Sequence, residues 1–195
     1  SDVAYNMQST LGWRNSQDYF PDRPLDAQQK HVHMNTMNNM WSSTFALPDW
    51  DMFQTHQPHA AFHAAARAIS GGPIYVCDKP GEQDFEMLRK LVTTDGRVLS
   101  CDRPALPAMD CVFVDCTADP RLLKITNRAG AAGVLGLFHC RTEDGPIEDA
   151  WRPSDVPDLQ GERFAAWLHC AGELRLVSGD EMSKLTLEPG EFELV

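Results

Sequence analysis

Residues 57–76 read QPHAAFHAAARAISGGPIYV, and this stretch predicts a helix followed directly by a strand. Pro58 suits a first helical turn, and Gly71 and Gly72 end the helix. The apolar face of the alanine-rich run consists of Phe62, Ala65, Ala66 and Ile69. Residues 73–76 are short, apolar and β-prone, as a fully buried parallel strand would be. The stretch is therefore one step of an α/β architecture.

The flanking sequence continues this pattern up to about residue 95. Upstream, residues 41–47 predict another buried strand that runs into Pro48. Downstream, residues 82–92 predict a second helix, which starts near the turn signal of residues 79–81 and stops at Asp95-Gly96. We assign residues 1–95 to this α/β part, although the first ten residues show no convincing helix cap or initiator, so that the chain is expected to begin inside a larger protein.

After residue 96 the periodicity changes to short strands separated by turns. The predicted strands are residues 112–114, 122–126, 133–138, 164–169, 173–177, 184–187 and 191–195. Alternation of polar and apolar residues predicts an antiparallel β-sandwich for residues 96–195. Residues 143–158, rich in Pro, Asp and Glu, are expected to form a surface excursion between strands.

Composition excludes several functional classes. The 17 basic and 28 acidic residues give a net charge of −11, which argues against a nucleic-acid surface. No apolar stretch reaches the length of a membrane span, and no signal segment opens the chain. Six cysteines without a C-x-x-C pair predict reduced, buried thiols in a cytoplasmic protein. The His59/His63 and His31/His33 pairs lack the Glu of a zinc-protease motif, so neither a metal nor another cofactor is expected.

The first chemically informative cluster is Trp13–Asp22, WRNSQDYFPD. A carboxyl group that delivers a proton to a glycosidic oxygen needs a neighbour to tune its pKa, and a sugar ring needs aromatic and hydrogen-bonding partners. The charged, amide and aromatic groups crowded into this cluster, among them Arg14 and Asp18, suit such a sugar site. The alternative is a capped turn, in which Asp18 or Asp22 caps a helix and Arg14 forms a surface ion pair.

The second cluster is Leu47–Gln54, LPDWDMFQ, where a predicted strand ends and a loop leads to a helix. In a barrel of alternating strands and helices, ligands bind at that edge. Asp49 and Asp51 could hold sugar hydroxyl groups while the indole of Trp50 stacks on the ring. Alternatively, one of the acids caps the next helix and Trp50 belongs to the core. Asp78 follows the predicted strand at residues 74–76 in the same way.

Taken together, RNSQDYFPDRP, MWSSTFALPDWDMFQTHQPHAAFHAAARAISGGPIYVCDKPGEQDFEMLRKLV and the ending LTLEPGEFELV resemble the raffinose synthase and seed imbibition protein family. That family belongs with the α-galactosidases of glycoside hydrolase family 36. The resemblance implies the C-terminal part of a (β/α)8 TIM barrel followed by an antiparallel β-sandwich. It also implies an oligosaccharide substrate and retention of configuration at an α-galactosyl centre, without implying an oligomeric state.

The resemblance further implies roles for individual residues. Asp18 corresponds to the acid/base. Arg14, four residues before it, would contact substrate, as would Asp49, Trp50, Asp51 and Asp78 at the barrel rim. One departure is Gln17, where the family usually has a second acid; if that acid were the catalytic one, this chain would have lost it. The nucleophile of the family lies in a Lys-x-Asp strand that would precede Ser1. Since a retaining enzyme needs both carboxyl groups about 5–5.5 Å apart, we expect the isolated chain to be inactive.

Three functions remain open from the sequence. Hydrolysis of α-galactosides is favoured, because a sugar acceptor must outcompete bulk water and few insertions that could build an acceptor site are visible. Galactosyl transfer from galactinol to sucrose is the alternative enzyme. A non-catalytic carbohydrate-binding remnant is the third possibility.

Overall fold

The structure, a computed structural model, describes residues 12–195. The first eleven residues of the predicted α/β part, with the question of their cap or initiator, lie outside the described residues. The helices are α1 (Leu25–Ser42), α2 (Ala60–Ser70), α3 (Phe85–Arg89) and a 3-10 turn at Pro153–Asp155. None of the helices in the described part is long and apolar enough to cross a membrane.

The strands of residues 12–195 form four sheets, one of which is parallel. In that sheet β1 (Gly12–Arg14) pairs with β2 (Leu47–Asp49). Outside the named strands, an isolated parallel bridge joins Phe53 to Val76. The largest sheet is antiparallel in the order β10-β5-β4-β3. Its strands are β3 (Leu106–Pro107), β4 (Leu123–Ala129), β5 (Ala132–Phe138) and β10 (Phe192–Leu194). The antiparallel two-stranded sheets pair β6 (Ile147–Trp151) with β9 (Ser183–Leu187), and β7 (Arg163–Leu168) with β8 (Glu173–Ser178).

The antiparallel C-terminal half agrees with the predicted pattern of strands. Six of the predicted strands correspond to β4, β5, β7, β8, β9 and β10; the ends agree within one residue, except that β4 continues three residues further than predicted. Such paired antiparallel sheets are compatible with a β-sandwich. The predicted strand at residues 112–114 is wrong, because these residues form a turn in which the Phe113 side chain is 96% exposed.

Residues 143–158 are the second correction in this half. They contain β6, and Ile147, Trp151 and Val156 are buried in the core instead of lying on a surface excursion. Pro, Asp and Glu dominate the composition of this stretch, so the three apolar residues that decide its position gave too weak a signal. They pack with Leu122, Leu135 and other residues in one of the apolar clusters of the structure.

The buried strand predicted at residues 41–47 is wrong: only its last residue, Leu47, lies in a strand, and Leu47 is exposed. Helix α1 continues through Ser42, a turn follows, and β2 covers only Leu47–Asp49. Helix α1 escaped prediction because it has no apolar stripe, the pattern by which amphipathic helices are recognised. Its buried residues are Gln28, Gln29, His31, Val32, Asn35, Thr36, Asn39 and Ser42. A helix that buries amides is invisible to a search for hydrophobic periodicity.

Of the predicted α/β step the helix is confirmed and the strand is not. Helix α2 starts at Ala60, so Pro58 precedes its first turn, and it ends at Ser70 before Gly71, whose φ of +72° is left-handed. The following strand is reduced to the bridge at Val76, and residues 74–76 are only partly buried, so the fully buried strand predicted there is wrong. Helix α3 is five residues long and capped by Asp84, which shortens the helix predicted at residues 82–92.

The main apolar cluster contains residues from both predicted domains. Trp50 and Phe62 come from the α/β part, and Leu123, Ile125 and Phe138 come from the antiparallel part. Phe62 and Phe138 meet edge to face with ring centroids 5.2 Å apart. The boundary near residue 95 stays a prediction, and any unit that it separates shares this core.

Gly71 tests how tightly α2 is joined to the antiparallel part. A Cβ at Gly71 would lie 1.9 Å from the carbonyl oxygen of Arg103, whereas Gly96 has a similar φ of +85° and nothing within 4 Å of its would-be Cβ. Both Gly→Ala changes incur the left-handed penalty of about 1–2 kcal/mol. We expect Gly71→Ala to lower the free energy of unfolding by about 1–3 kcal/mol more than Gly96→Ala, because the clash is with backbone. Denaturant unfolding measures both, and equal losses would contradict the packing described.

Candidate active site

Arg14, the last residue of β1, gathers three of the predicted acids around its guanidinium. Its Nη1 lies 2.8 Å from Asp18 Oδ1 and 2.9 Å from Asp51 Oδ2, and its Nε lies 3.9 Å from Asp49 Oδ2. Burial opposes the charge of Arg14, but Asp51, Tyr75, Asp49 and Asp18 together raise the pKa of the guanidinium above its ordinary value. Arg14 therefore stays cationic and counters a cluster of negative charge.

Asp18 is the exposed member of this cluster. Its side chain is 74% exposed, and the hydrogen bond from Arg14 fixes one of its two oxygens. It lies in residues 15–24, a segment between β1 and α1 that we call the Asp18 loop. Its carboxylate is therefore held by one cation and accessible to a ligand from solvent.

Asp49, at the end of β2, is held by Tyr75. The Tyr75 hydroxyl donates to Asp49 Oδ2 at 2.8 Å and lies 3.1 Å from Oδ1. Burial, together with this hydrogen bond to a carboxylate, raises the pKa of Tyr75 to about 12. Tyr75 was missed as a site residue, although period-2 alternation places it opposite Ile74 and Val76, which pack in the core.

Asp51 is almost completely buried and its backbone is left-handed. Its side chain is 1% exposed and its φ is +66°, a conformation in which Asp is several-fold enriched. Asp51 Oδ2 accepts from the Tyr19 backbone N–H at 2.7 Å, and Oδ1 accepts from the Met52 N–H. The Asp51 N–H in turn donates to Asp49 Oδ1. These bonds fix residues 49–52, which we call the Asp51 turn, against the Asp18 loop.

Asp78 stands apart from Arg14 and forms its own group. Asp78 Oδ1 accepts from the Thr55 backbone N–H, the Thr55 hydroxyl and His56 Nδ1, at 2.8–3.0 Å. Burial alone would raise the pKa of Asp78, but the donors on His56 and Thr55 outweigh it and lower the pKa. Its Oδ2 is buried without a hydrogen-bond partner. The sequence prediction missed His56, whose ring this carboxylate orients.

The structure corrects the role predicted for Trp50. Its side chain is fully buried in the main apolar cluster, and its indole Nε1–H donates to Asn39 Oδ1 at 3.0 Å. A buried ring cannot stack on a sugar, so the alternative that places Trp50 in the core is the one observed. The capping alternative fails for the acids, because neither Asp49 nor Asp51 caps α2, and neither Asp18 nor Asp22 caps α1. The ion pair of Arg14 that the same alternative contained is observed, with the exposed Asp18 as its partner.

Beneath the Asp18 loop lies a layer of buried histidines. His31 Nε2 lies 3.2 Å from the Ser16 hydroxyl, and its ring faces Tyr19 edge to face. Burial, followed by the charge of Arg67, lowers the pKa of His31 to about 3. His63 is buried beside it, and its pKa is lowered for the same reasons. Both rings are therefore neutral at ordinary pH.

The comparison with protein families gives a match over most of the chain. Residues 2–152 match the family described as raffinose synthase or seed imbibition protein Sip1. A galactinol–sucrose galactosyltransferase of Oryza sativa subsp. japonica is 40% identical over 90% of this chain and 25% of its own length. Stachyose synthase of Pisum sativum is 34% identical over 86% of this chain and 23% of its own length. The chain thus spans about a quarter of the length of these curated relatives.

Solved structures similar in fold include the following one. It is the crystal structure of a proposed alpha-galactosidase from Bacteroides fragilis, with a TM-score of 0.61 and 14% sequence identity. The similarity covers 94% of this chain and 42% of that chain. At this identity the similarity concerns the fold, which is α-galactosidase-like.

The buried His31 makes stability depend on pH in a defined direction. Its pKa is about 3 when folded and about 6.5 when unfolded, so the unfolded chain alone binds this proton between those values. The free energy of unfolding should therefore fall as the pH falls from about 6.5 towards 3, by up to about 1.4 kcal/mol per pH unit for this histidine. Urea unfolding of the wild type and of His31→Asn at pH 7, 6, 5 and 4 should give a shallower slope for the variant. Identical slopes would show that His31 does not stay neutral.

Proposed function

The chain belongs to the raffinose synthase or seed imbibition protein Sip1 family, and from this premise we propose its function. We propose that it supplies the acid/base part of a retaining enzyme that transfers α-galactosyl groups between sugars. The single observation that carries it is the Arg14–Asp18 ion pair at the end of β1, beside Asp49 and Asp51 at the end of the parallel strand β2.

The parallel segments support a catalytic barrel. In a (β/α)8 barrel, the catalytic residues lie at the carboxyl ends of several parallel strands. Arg14, Asp49 and Asp78 each follow or end a segment with parallel pairing. We propose that residues 1–95 belong to such a barrel and that residues 96–195 form a sandwich domain attached to it.

The proposed mechanism uses two carboxyl groups. In the first step, protonated Asp18 gives its proton to the glycosidic oxygen of the donor while a second carboxylate attacks the anomeric carbon, so that the C–O bond breaks and a covalent galactosyl ester forms. In the second step, Asp18 as carboxylate takes the proton of an acceptor hydroxyl, whose oxygen displaces the ester and restores the α configuration. We propose that the nucleophilic carboxylate comes from a part of the barrel outside this chain.

Arg14 and the neighbouring acids have separate tasks in this scheme. The hydrogen bond from Arg14 Nη1 orients the Asp18 carboxyl group without burying it. Asp49, which is partly exposed, can accept hydrogen bonds from sugar hydroxyl groups. Asp51 is buried and holds Arg14 and Tyr19, so its contribution is to shape the site. Asp78 remains a proposed residue of the substrate site, but its side chain is 0% exposed, so it would act by holding Thr55 and His56 there.

Galactosyl transfer is better supported than the hydrolysis favoured by the sequence. The relatives in rice and pea carry the names galactinol–sucrose galactosyltransferase and stachyose synthase. The similar solved structure, a proposed alpha-galactosidase, supports the fold and not the choice of acceptor. We therefore propose an oligosaccharide donor and a sugar acceptor, with galactinol and sucrose as the first pair to test.

A cytoplasmic location is proposed from the absence of disulfides among the six cysteines, all of which lie in the described part.

The proposed role of Asp18 is tested by substrates with different leaving groups. In a form of the protein with a complete barrel, Asp18→Asn should lower kcat/KM for raffinose or galactinol by about 100- to 10,000-fold, because their leaving groups need a proton. The first step with 4-nitrophenyl α-galactoside should change only a few-fold, since its leaving group departs without one. Asp22→Asn, which changes an exposed acid of the same loop, is the matched control and should affect neither substrate.

The same preparations distinguish transfer from hydrolysis. Incubation with galactinol and sucrose, followed by chromatography of the sugars, should show raffinose in excess over free galactose. Free galactose alone would support the hydrolase. Neither product, from a protein that folds, would support the carbohydrate-binding remnant and would make Gln17 the first residue to replace by an acid.

A further inference from the structure

A buried polar chain lies beneath the Asp18 loop and the Asp51 turn and connects them. Its three members, Arg67, His63 and Gln28, are fully or almost fully buried. Arg67 and His63 lie on α2, and Gln28 lies on α1. None of them was predicted as a site residue, because each lies within a helix and outside both chemically informative clusters.

Arg67 holds the backbone of the Asp51 turn. Its Nη2 donates to the carbonyl oxygen of Trp50 at 2.7 Å, and its Nε donates to that of Asp51 at 3.1 Å. A weaker contact of 3.3 Å reaches the carbonyl of Met52. Burial lowers the pKa of Arg67 to about 10, which leaves it charged at neutral pH. A fully buried cation is costly, and here consecutive carbonyl groups compensate it in place of a paired carboxylate.

His63 is the next member of the buried polar chain, and its tautomer is defined. Arg67 Nη1 lies 2.6 Å from His63 Nδ1, and since a guanidinium only donates, Nδ1 must accept. The proton of the neutral ring is therefore on Nε2, which donates to Gln28 Oε1 at 2.8 Å. Every bond along this part of the chain has one possible direction.

Gln28 completes the connection to the Asp18 loop. With its Oε1 occupied by His63, its Nε2 donates to the carbonyl oxygens of Phe20 and Arg23 at 3.0 and 2.8 Å. These two carbonyls belong to the half of the Asp18 loop that follows Asp18. The buried polar chain thus joins backbone carbonyls of the Asp51 turn to those of the Asp18 loop through three side chains.

We propose that Arg67, His63 and Gln28 are positioning residues that hold the Asp18 loop in register with the Asp51 turn and thereby orient the Asp18 carboxyl group. The direct bond from the Tyr19 N–H to Asp51 Oδ2 closes the other side of this connection. The Tyr19 ring lies over His63, with centroids 4.8 Å apart, and packs the space between the two links. The effect on catalysis rests on the proposed function of Asp18, whereas the effect on the loop does not.

Gln29 supplies a matched control. It neighbours Gln28 on α1 and is equally buried, but its Nε2 donates to the carbonyl of His139 in the antiparallel part. Replacement of either glutamine by Met removes a buried amide and keeps the length of the side chain. Gln28→Met and Gln29→Met should therefore destabilise the protein similarly, while only the first releases the Asp18 loop.

The experiment combines hydrogen exchange with leaving-group dependence in a form of the protein with a complete barrel. Gln28→Met should increase backbone exchange in peptides that cover residues 15–24, and Gln29→Met should leave these peptides unchanged. Gln28→Met should also lower kcat/KM for galactinol or raffinose by about 10- to 100-fold, with a change of less than about 3-fold in the first step with 4-nitrophenyl α-galactoside. Gln29→Met should affect the two substrates equally.

His63 gives a second, independent test. His63→Gln can still accept from Arg67 and donate to Gln28, whereas His63→Leu can do neither. We expect the Leu variant to reproduce both effects of Gln28→Met and the Gln variant to restore at least part of the lost activity on galactinol.

The outcomes separate this inference from the proposed function. Equal exchange in the Gln28 and Gln29 variants, or equal losses on both substrates with Gln28→Met when Asp18→Asn discriminates between them, would overturn the positioning role. Faster exchange of residues 15–24 with no discrimination even by Asp18→Asn would uphold the connection between the loops and overturn the acid/base role of Asp18.

Discussion

The buried guanidinium of Arg67 is the constraint on which the candidate site depends. It takes up the carbonyl groups of Trp50 and Asp51, which would otherwise lie in the core without partners. Asp51 has a left-handed backbone, and this conformation fixes the directions of both these carbonyl groups and the Asp51 carboxylate. That carboxylate then fixes Arg14 and Tyr19. One interior cation thus determines where the surface cation Arg14 meets Asp18.

The same site shows how an acidic protein can hold several carboxylates together. Asp18, Asp49 and Asp51 converge on Arg14, and the Tyr75 hydroxyl adds a neutral donor to Asp49. Opposite charge and hydrogen bonds to the ionised form offset the repulsion between the acids. Only Asp18 keeps a largely exposed side chain, whereas Asp49 is partly buried and Asp51 almost completely buried.

The buried face of helix α1 is mainly polar. Asn39 accepts from the Trp50 indole and donates to the carbonyl of Ala105, while Asn15 donates to Asn35 and Asn39 from the Asp18 loop. The donors and acceptors of these bonds are distant in sequence. Buried amides with fixed partners specify one arrangement of the surrounding loops more sharply than apolar packing of the same area.

The sequence by itself determined the features that depend on local pattern. It predicted helix α2 and its glycine end, six of the antiparallel strands and the family, because periodicity, turn residues and motifs are local signals. Only the tertiary structure decided the rest. Helix α1, the burial of Trp50, the core position of residues 147–156, and the roles of Tyr75, His56 and Arg67 each depend on partners distant in sequence, from 11 residues for Trp50 to 110 residues for Gln29 of α1. The energy of a buried polar group is set by whether that partner is present, and no local pattern records it.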